Sequence, residues 1–73
     1  MELRLTRHAK NRNRRIQATV FEILECIENP DSYYIQADGK EIAIKALGNK
    51  LLKLVFRLSL SSYEIITIID RNQ

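Results

Sequence analysis

The sequence predicts an α+β fold: a four- to five-stranded antiparallel meander with one or two N-terminal helices packed on one face. Three observations lead there. An apolar stripe at helical spacing occupies Thr19 to Glu28. From Tyr33 onward the chain turns to β-prone segments, separated by Asp38-Gly39, Gly48-Asn49 and a serine-rich corner. And 73 residues, 45% of them apolar, suffice for one core and not two, so residues 1–73 are expected to form a single domain.

Glu2 to Thr6 alternates Leu3 and Leu5 with polar residues, the pattern of a short half-buried strand. His8 to Arg15 is helix-permissive but almost wholly polar, with Ala9 and Ile16 as its apolar anchors. It reads as a short surface helix or an ordered loop. Thr19 and Glu22 have capping-box spacing, and Val20, Ile23, Leu24 and Ile27 follow at i, i+3, i+4 and i+7. Asn29-Pro30 stops this helix, because the residue before proline is pushed out of the α region. Cys26 lies off the stripe and reads as a small hydrophobe, since Glu22 and Glu25 do not favour a thiolate.

Strands are expected over Tyr33 to Ala37, Lys40 to Leu47, Lys50 to Leu58 and Tyr63 to Ile69. A two-residue turn at Asp38-Gly39 sets Ile35 opposite Ile42 and Tyr33 opposite Ile44. At the next hairpin a two-residue turn would set Ile44 against Lys53. A three-residue loop, Gly48 to Lys50, instead pairs Ile42 with Phe56, Ile44 with Leu54 and Ala46 with Leu52. That register gives one apolar face for the helix, with Tyr33 and Thr67 on it. The other face is mixed: Tyr34, Gln36, Lys45, Lys53 and Arg57, with Leu47, Leu51 and Val55 between.

Charge narrows the function classes. The net charge is only +3, but six of the 12 basic residues fall in the first fifteen positions: Arg4, Arg7, Lys10, Arg12, Arg14 and Arg15. Glu22, Glu25, Glu28 and Asp31 then cluster. Such a chain presents a basic and an acidic surface, and the basic one suits a polyanion; a solvated helix face is the plain alternative. One Cys and one His supply no disulfide framework and no metal set, and the two glycines stand apart, so no phosphate loop is formed. No cofactor is expected. No apolar run reaches membrane-spanning length and Met1 to Arg4 lacks a signal-peptide core, so a cytoplasmic protein with no membrane partner is expected.

The run Leu5-Thr6-Arg7-His8-Ala9, with Arg12, Arg15 and Ile16 following, carries a resemblance. So do Glu28-Asn29-Pro30-Asp31, Asp38-Gly39-Lys40, Leu52 to Phe56 and the terminal Ile65-Ile66-Thr67-Ile68. In order and spacing these residues resemble a family of very short prokaryotic and phage proteins similar to BrnT-type toxins and, more distantly, to the RelE/ParE toxin superfamily. Arg15 meets Ile16 without the glycine usual in that family, and Ile69-Asp70 stand where Tyr-Pro often follows. The resemblance implies helices on one face of an antiparallel sheet and a metal-independent endoribonuclease of toxin-antitoxin type. RNA, in a free or ribosome-associated form, and an antitoxin protein are the partners it implies.

Metal-independent RNA cleavage needs a base for the 2′-hydroxyl, a cation for the phosphorane and an acid for the leaving oxygen. His8 is the only side chain whose free titration range lies near neutrality. Lys45 and Arg57 are candidates for transition-state charge, and Tyr34 for stacking or acid catalysis. Arg7, Lys10, Arg12, Arg14, Arg15 and Lys53 are candidate nucleic-acid contacts. One His does not readily serve as both acid and base; the resemblance implies cationic and tyrosine groups in that role. Structural alternatives stand beside each assignment. His8 at a helix start bonds a carbonyl, Lys45 and Lys53 protect an edge, and Thr67 is a core hydroxyl. Two other classes stay open. One is a non-enzymatic basic module binding nucleic acid or an acidic protein; the other is a small homodimer using the open sheet face.

Overall fold

The computed structural model describes residues 2–73. Strand β1 (Glu2–Leu5) leads into helices α1 (Arg7–Ile16) and α2 (Val20–Glu28). Strands β2 (Ser32–Ile35), β3 (Glu41–Leu47), β4 (Lys50–Ser59) and β5 (Ser62–Asp70) follow. The last four form the antiparallel meander, and β1 adds beside β5, giving the spatial order β1-β5-β4-β3-β2. The fold is α+β as predicted, with helices on one face of the sheet. One strand departs from an all-antiparallel sheet: β1 runs parallel to β5, Leu3 beside Tyr63 and Leu5 beside Ile65. Parallel pairing requires a long connection, and here the rest of the chain supplies it. No described helix is long and apolar enough to cross a membrane.

Thr6 caps α1 by accepting from the Ala9 N–H, and Ala9 and Ile16 are its buried anchors. Gln17 ends it in the left-handed region at φ 58°. Asn13 then takes both backbone groups of Ala18, donating to the carbonyl at 3.0 Å and accepting from the N–H at 2.8 Å. This clasp fixes the corner between the helices. The Thr19–Glu22 capping box opens α2 in both directions. The Thr19 N–H, and Lys50 beyond it, hold the Glu22 carboxyl below its ordinary range.

The stripe that faces the sheet is rotated from the expected one. Ile23 and Cys26 are the buried residues of α2, whereas Val20, at the helix start, is 61% exposed. Cys26 therefore belongs to the core rather than lying off it. The cause is size. Its sulfur sits 3.6 Å from the Ala43 carbonyl oxygen, and these two small residues let helix and strand approach closely. Ala9, Ile16, Ala18, Leu52, Leu54, Phe56, Ile65 and Ile68 complete that core.

Both hairpin loops differ from expectation by one residue. Gln36 donates to the Lys40 carbonyl and Gly39 to that of Gln36, so the first loop holds three residues, with Gly39 at φ 90° as a bulged turn requires. The second loop holds two. Gly48 sits at φ 59° in the first turn position, and Leu47 pairs with Lys50. Tyr34 consequently faces Ile42, and Ile44 faces Lys53 directly, which overturns the predicted register. Because both slips involve β3, only β3 is turned over. Ile42, Ile44 and Ala46 lie on the open face, and Ala43, Lys45 and Leu47 lie under the helices. The inversion gives α2 a small residue to rest on, and gives its C-terminus a cation.

A further irregularity lies in β5. Val55 pairs with Thr67 but Phe56 with Ile65, so Ile66 is an extra residue. The bulge lets Ile65 and Ile68 both enter the core and moves Thr67 to the open face, correcting its predicted core position.

Two substitutions probe this architecture. Ile23→Ala should cost about 2–4 kcal/mol in a urea titration, since Ile23 is 1% exposed at the centre of the helix–sheet contact. Gln17→Gly should add roughly 0.5–1 kcal/mol by relieving the left-handed cap, read as a rise in the urea midpoint at unchanged slope.

Candidate nucleic-acid interface

α1 owes its position to a shortage of strand neighbours. β1 covers β5 only from Ser62 to Ile65, which leaves the edge of the following residues without a strand. α1 fills that gap with side chains. Thr6 Oγ1 donates to the Ile66 carbonyl at 3.0 Å, and Arg12 Nε donates to the Ile68 carbonyl at 3.1 Å. The helix continues the line of β1, with Ala9 and Ile16 turned inward. Its remaining faces carry Arg7, His8, Lys10, Arg14 and Arg15, all exposed.

These cations have no acidic partner among the described residues. The ion pairs lie elsewhere: Lys50 with Glu22 at 3.4 Å, Lys45 with Asp31 at 3.7 Å and Glu25 at 4.0 Å, and Lys40 with Asp38 at 3.4 Å. Glu22 and Glu25 of α2 are thus paired with lysines of β4 and β3, while the basic charge of α1 is left to solvent.

Lys45 is accordingly not part of the open face, where the predicted register put it. It donates to the Asn29 carbonyl at 2.7 Å, just past the α2 C-terminus, where a cation offsets the helix dipole. Its ammonium is committed to structure. Tyr34, Lys53 and Arg57 do share the open face. Tyr34 lies in one cross-strand row with Ile42, Val55 and Thr67, and Lys53 and Arg57 flank that row on β4. Lys53 and Arg57 are four residues apart, about 13 Å along an extended strand. Arg57 faces Glu64, whose other neighbour is Arg4. Tyr33 lies beside Ala43 on the helix side but at the rim, its phenol donating to Glu41.

α1 and the open face meet at one place. A cleft of about 480 Å³ runs between α1 and the end of β5, lined by Arg12, Arg15, Ile16, Ile69, Asp70 and Gln73. Ile69 is the registered neighbour of Lys53. The cleft therefore connects the helix cations to the sheet cations through one residue. His8 lies one helical turn before Arg12 and does not line the cleft, and nothing brings it to Tyr34 or Arg57. Arg7, Lys10 and Arg14 do not line the cleft; Lys10 lines a second recess with Arg4.

The residues that sequence reasoning missed are Ile69, Asp70 and Gln73. A signal existed in the bulge-forming run Ile65-Ile66-Thr67-Ile68-Ile69, which cannot alternate cleanly. Among the described residues no group of three or more His, Cys, Asp or Glu side chains is placed to hold a metal ion. Comparison with protein-family models, curated proteins and solved structures gives no match.

Cys26 is not a nucleophile in this arrangement. Burial pushes its thiol up to about 11, with Lys45 opposing that shift and Asp31 adding to it. A thiol raised on folding stabilises the fold below its unfolded value, and that contribution is lost as pH rises from there through the folded value. Iodoacetamide at pH 8 should label Cys26 at least about 100-fold more slowly in the native protein than in urea. Comparable rates would place the thiol outside the core.

Proposed function

We propose that this chain is an RNA-binding domain whose contact surface is formed by α1 and the open sheet face. The observation that carries the reading is the uncompensated charge of α1 beside a sheet face that is apolar between its cations. Phosphates suit the arginines of α1 with Lys53 and Arg57. Unstacked bases suit Tyr34, 46% exposed, with Ile44 of β3 and Val55 of β4 on the same face. A duplex buries its base faces, so the aromatic platform favours single-stranded RNA. The finer reading, a toxin-like endoribonuclease of RelE/BrnT type held by an antitoxin, rests on the family resemblance and on His8 as the general base. With Lys45 committed to α2, the candidate set for chemistry becomes His8, Arg57 and Tyr34, dispersed over the surface. Binding is therefore the function the geometry supports best.

The test is fluorescence anisotropy with a short single-stranded RNA over a salt series. Exchanging Arg7 and Arg14 for Gln should weaken binding and reduce the salt slope by about 1–2 units, with the melting temperature unchanged. Unaltered affinity would transfer the basic helix to an acidic protein partner. Incubation with total RNA decides catalysis: if the parent protein cleaves and His8→Ala binds without cleaving, the enzyme reading stands. No cleavage by the parent protein leaves a binding module.

A further inference from the structure

We infer that the cleft between α1 and the end of β5 is a receptor for a terminal phosphomonoester, the phosphorylated end of an RNA strand. This rests on the RNA-binding reading and adds to it where on the surface a strand end is held. Arg12 is the anchor. Its Nε is spent on the Ile68 carbonyl at 3.1 Å, which fixes the plane of the guanidinium and leaves its terminal N–H groups for a ligand. Arg15, about one helical turn beyond Arg12 and lining the same cleft, makes no hydrogen bond or ion pair among the described residues, so a second guanidinium is free beside the first.

Two guanidinium groups with free N–H donors suit the three terminal oxygens of a phosphomonoester better than the two non-bridging oxygens of an internal diester. The one acidic side chain in the lining, Asp70, forms no ion pair with either arginine: its Oδ1 accepts from the backbone N–H groups of Leu51 and Asn72, both at 3.0 Å. Ile16 and Ile69 supply an apolar wall for the attached sugar or base, and the volume of about 480 Å³ lies within the common range for small-ligand pockets, roughly 300–1,000 Å³. From Ile69 the surface continues to Lys53, which sets the direction in which the rest of the strand would leave.

The experiment compares one short RNA in three forms: 5′-phosphorylated, 3′-phosphorylated and with both ends as hydroxyls. At least one phosphorylated form should bind about five- to tenfold tighter than the hydroxyl form. Arg15→Gln should erase that preference while the melting temperature holds, because Arg15 supports no other contact. Arg12→Lys, which keeps charge but loses the fork, should reduce it. Equal binding of all three forms overturns the terminal-phosphate site while leaving RNA binding intact. Failure of every form to bind overturns both. A preference that survives in Arg15→Gln places the phosphate elsewhere and overturns the cleft.

Discussion

The structure depends on the half-covered edge of β5. A strand whose N–H and C=O groups lack a neighbour must satisfy them from side chains or water. Here β1 is too short to do so beyond Ile65, and α1 takes over with Thr6 on the Ile66 carbonyl and Arg12 on that of Ile68. The bulge at Ile66 serves the same constraint, presenting a carbonyl to Thr6 while keeping Ile65 and Ile68 in the core. A helix placed to finish a sheet edge has one flank committed and the others exposed. This is why a nearly all-polar segment with two apolar anchors forms an ordered helix in a chain of this size.

Charge follows from that placement. Glu25 meets Lys45 because β3 is turned so that its lysine lies under the helix, and Glu22 meets Lys50 at the start of β4. Those pairs are part-exposed and individually weak. Their larger effect is to hold Glu22, Glu25 and Asp31 on the side remote from α1. The bipolar sequence becomes one surface of paired charges and one positive surface, and the positive one borders the cleft and the sheet platform.

Much of the fold was legible in the residues, and the exceptions are physical. Capping at Thr19, the stop at Asn29-Pro30 and the anchors Ala9 and Ile16 are local signals, and they hold. Register is not local. The rule of separating apolar from charged residues preferred Ile44 beside Leu54, but it treated the open face as the place for charge. The protein instead puts Ile42, Ile44 and Val55 there, with Ile42 still buried by its neighbours, and sets Ala43 under α2, because a helix needs a small residue beneath it more than a large one. The two loop slips cancel for β2, so Tyr34, Lys53 and Arg57 keep their predicted face while Lys45 loses it. The cleft was not legible, since the parallel pairing of β1 and the bulge in β5 involve residues some sixty positions apart.

That long-range pairing has a consequence for how the protein is made. During synthesis β1 and α1 emerge ahead of the other described elements, and β5, which seats both, emerges after them all. Until it does, Thr6 and Arg12 have no carbonyls to hold, and the arginine-rich segment has only its own weak helical tendency. Contacts of such sequence separation are slow to form and carry a loop-closure cost. A nascent chain therefore exposes an unanchored cationic segment ahead of the strand that seats it, and α1 gains its full set of contacts only when that strand docks.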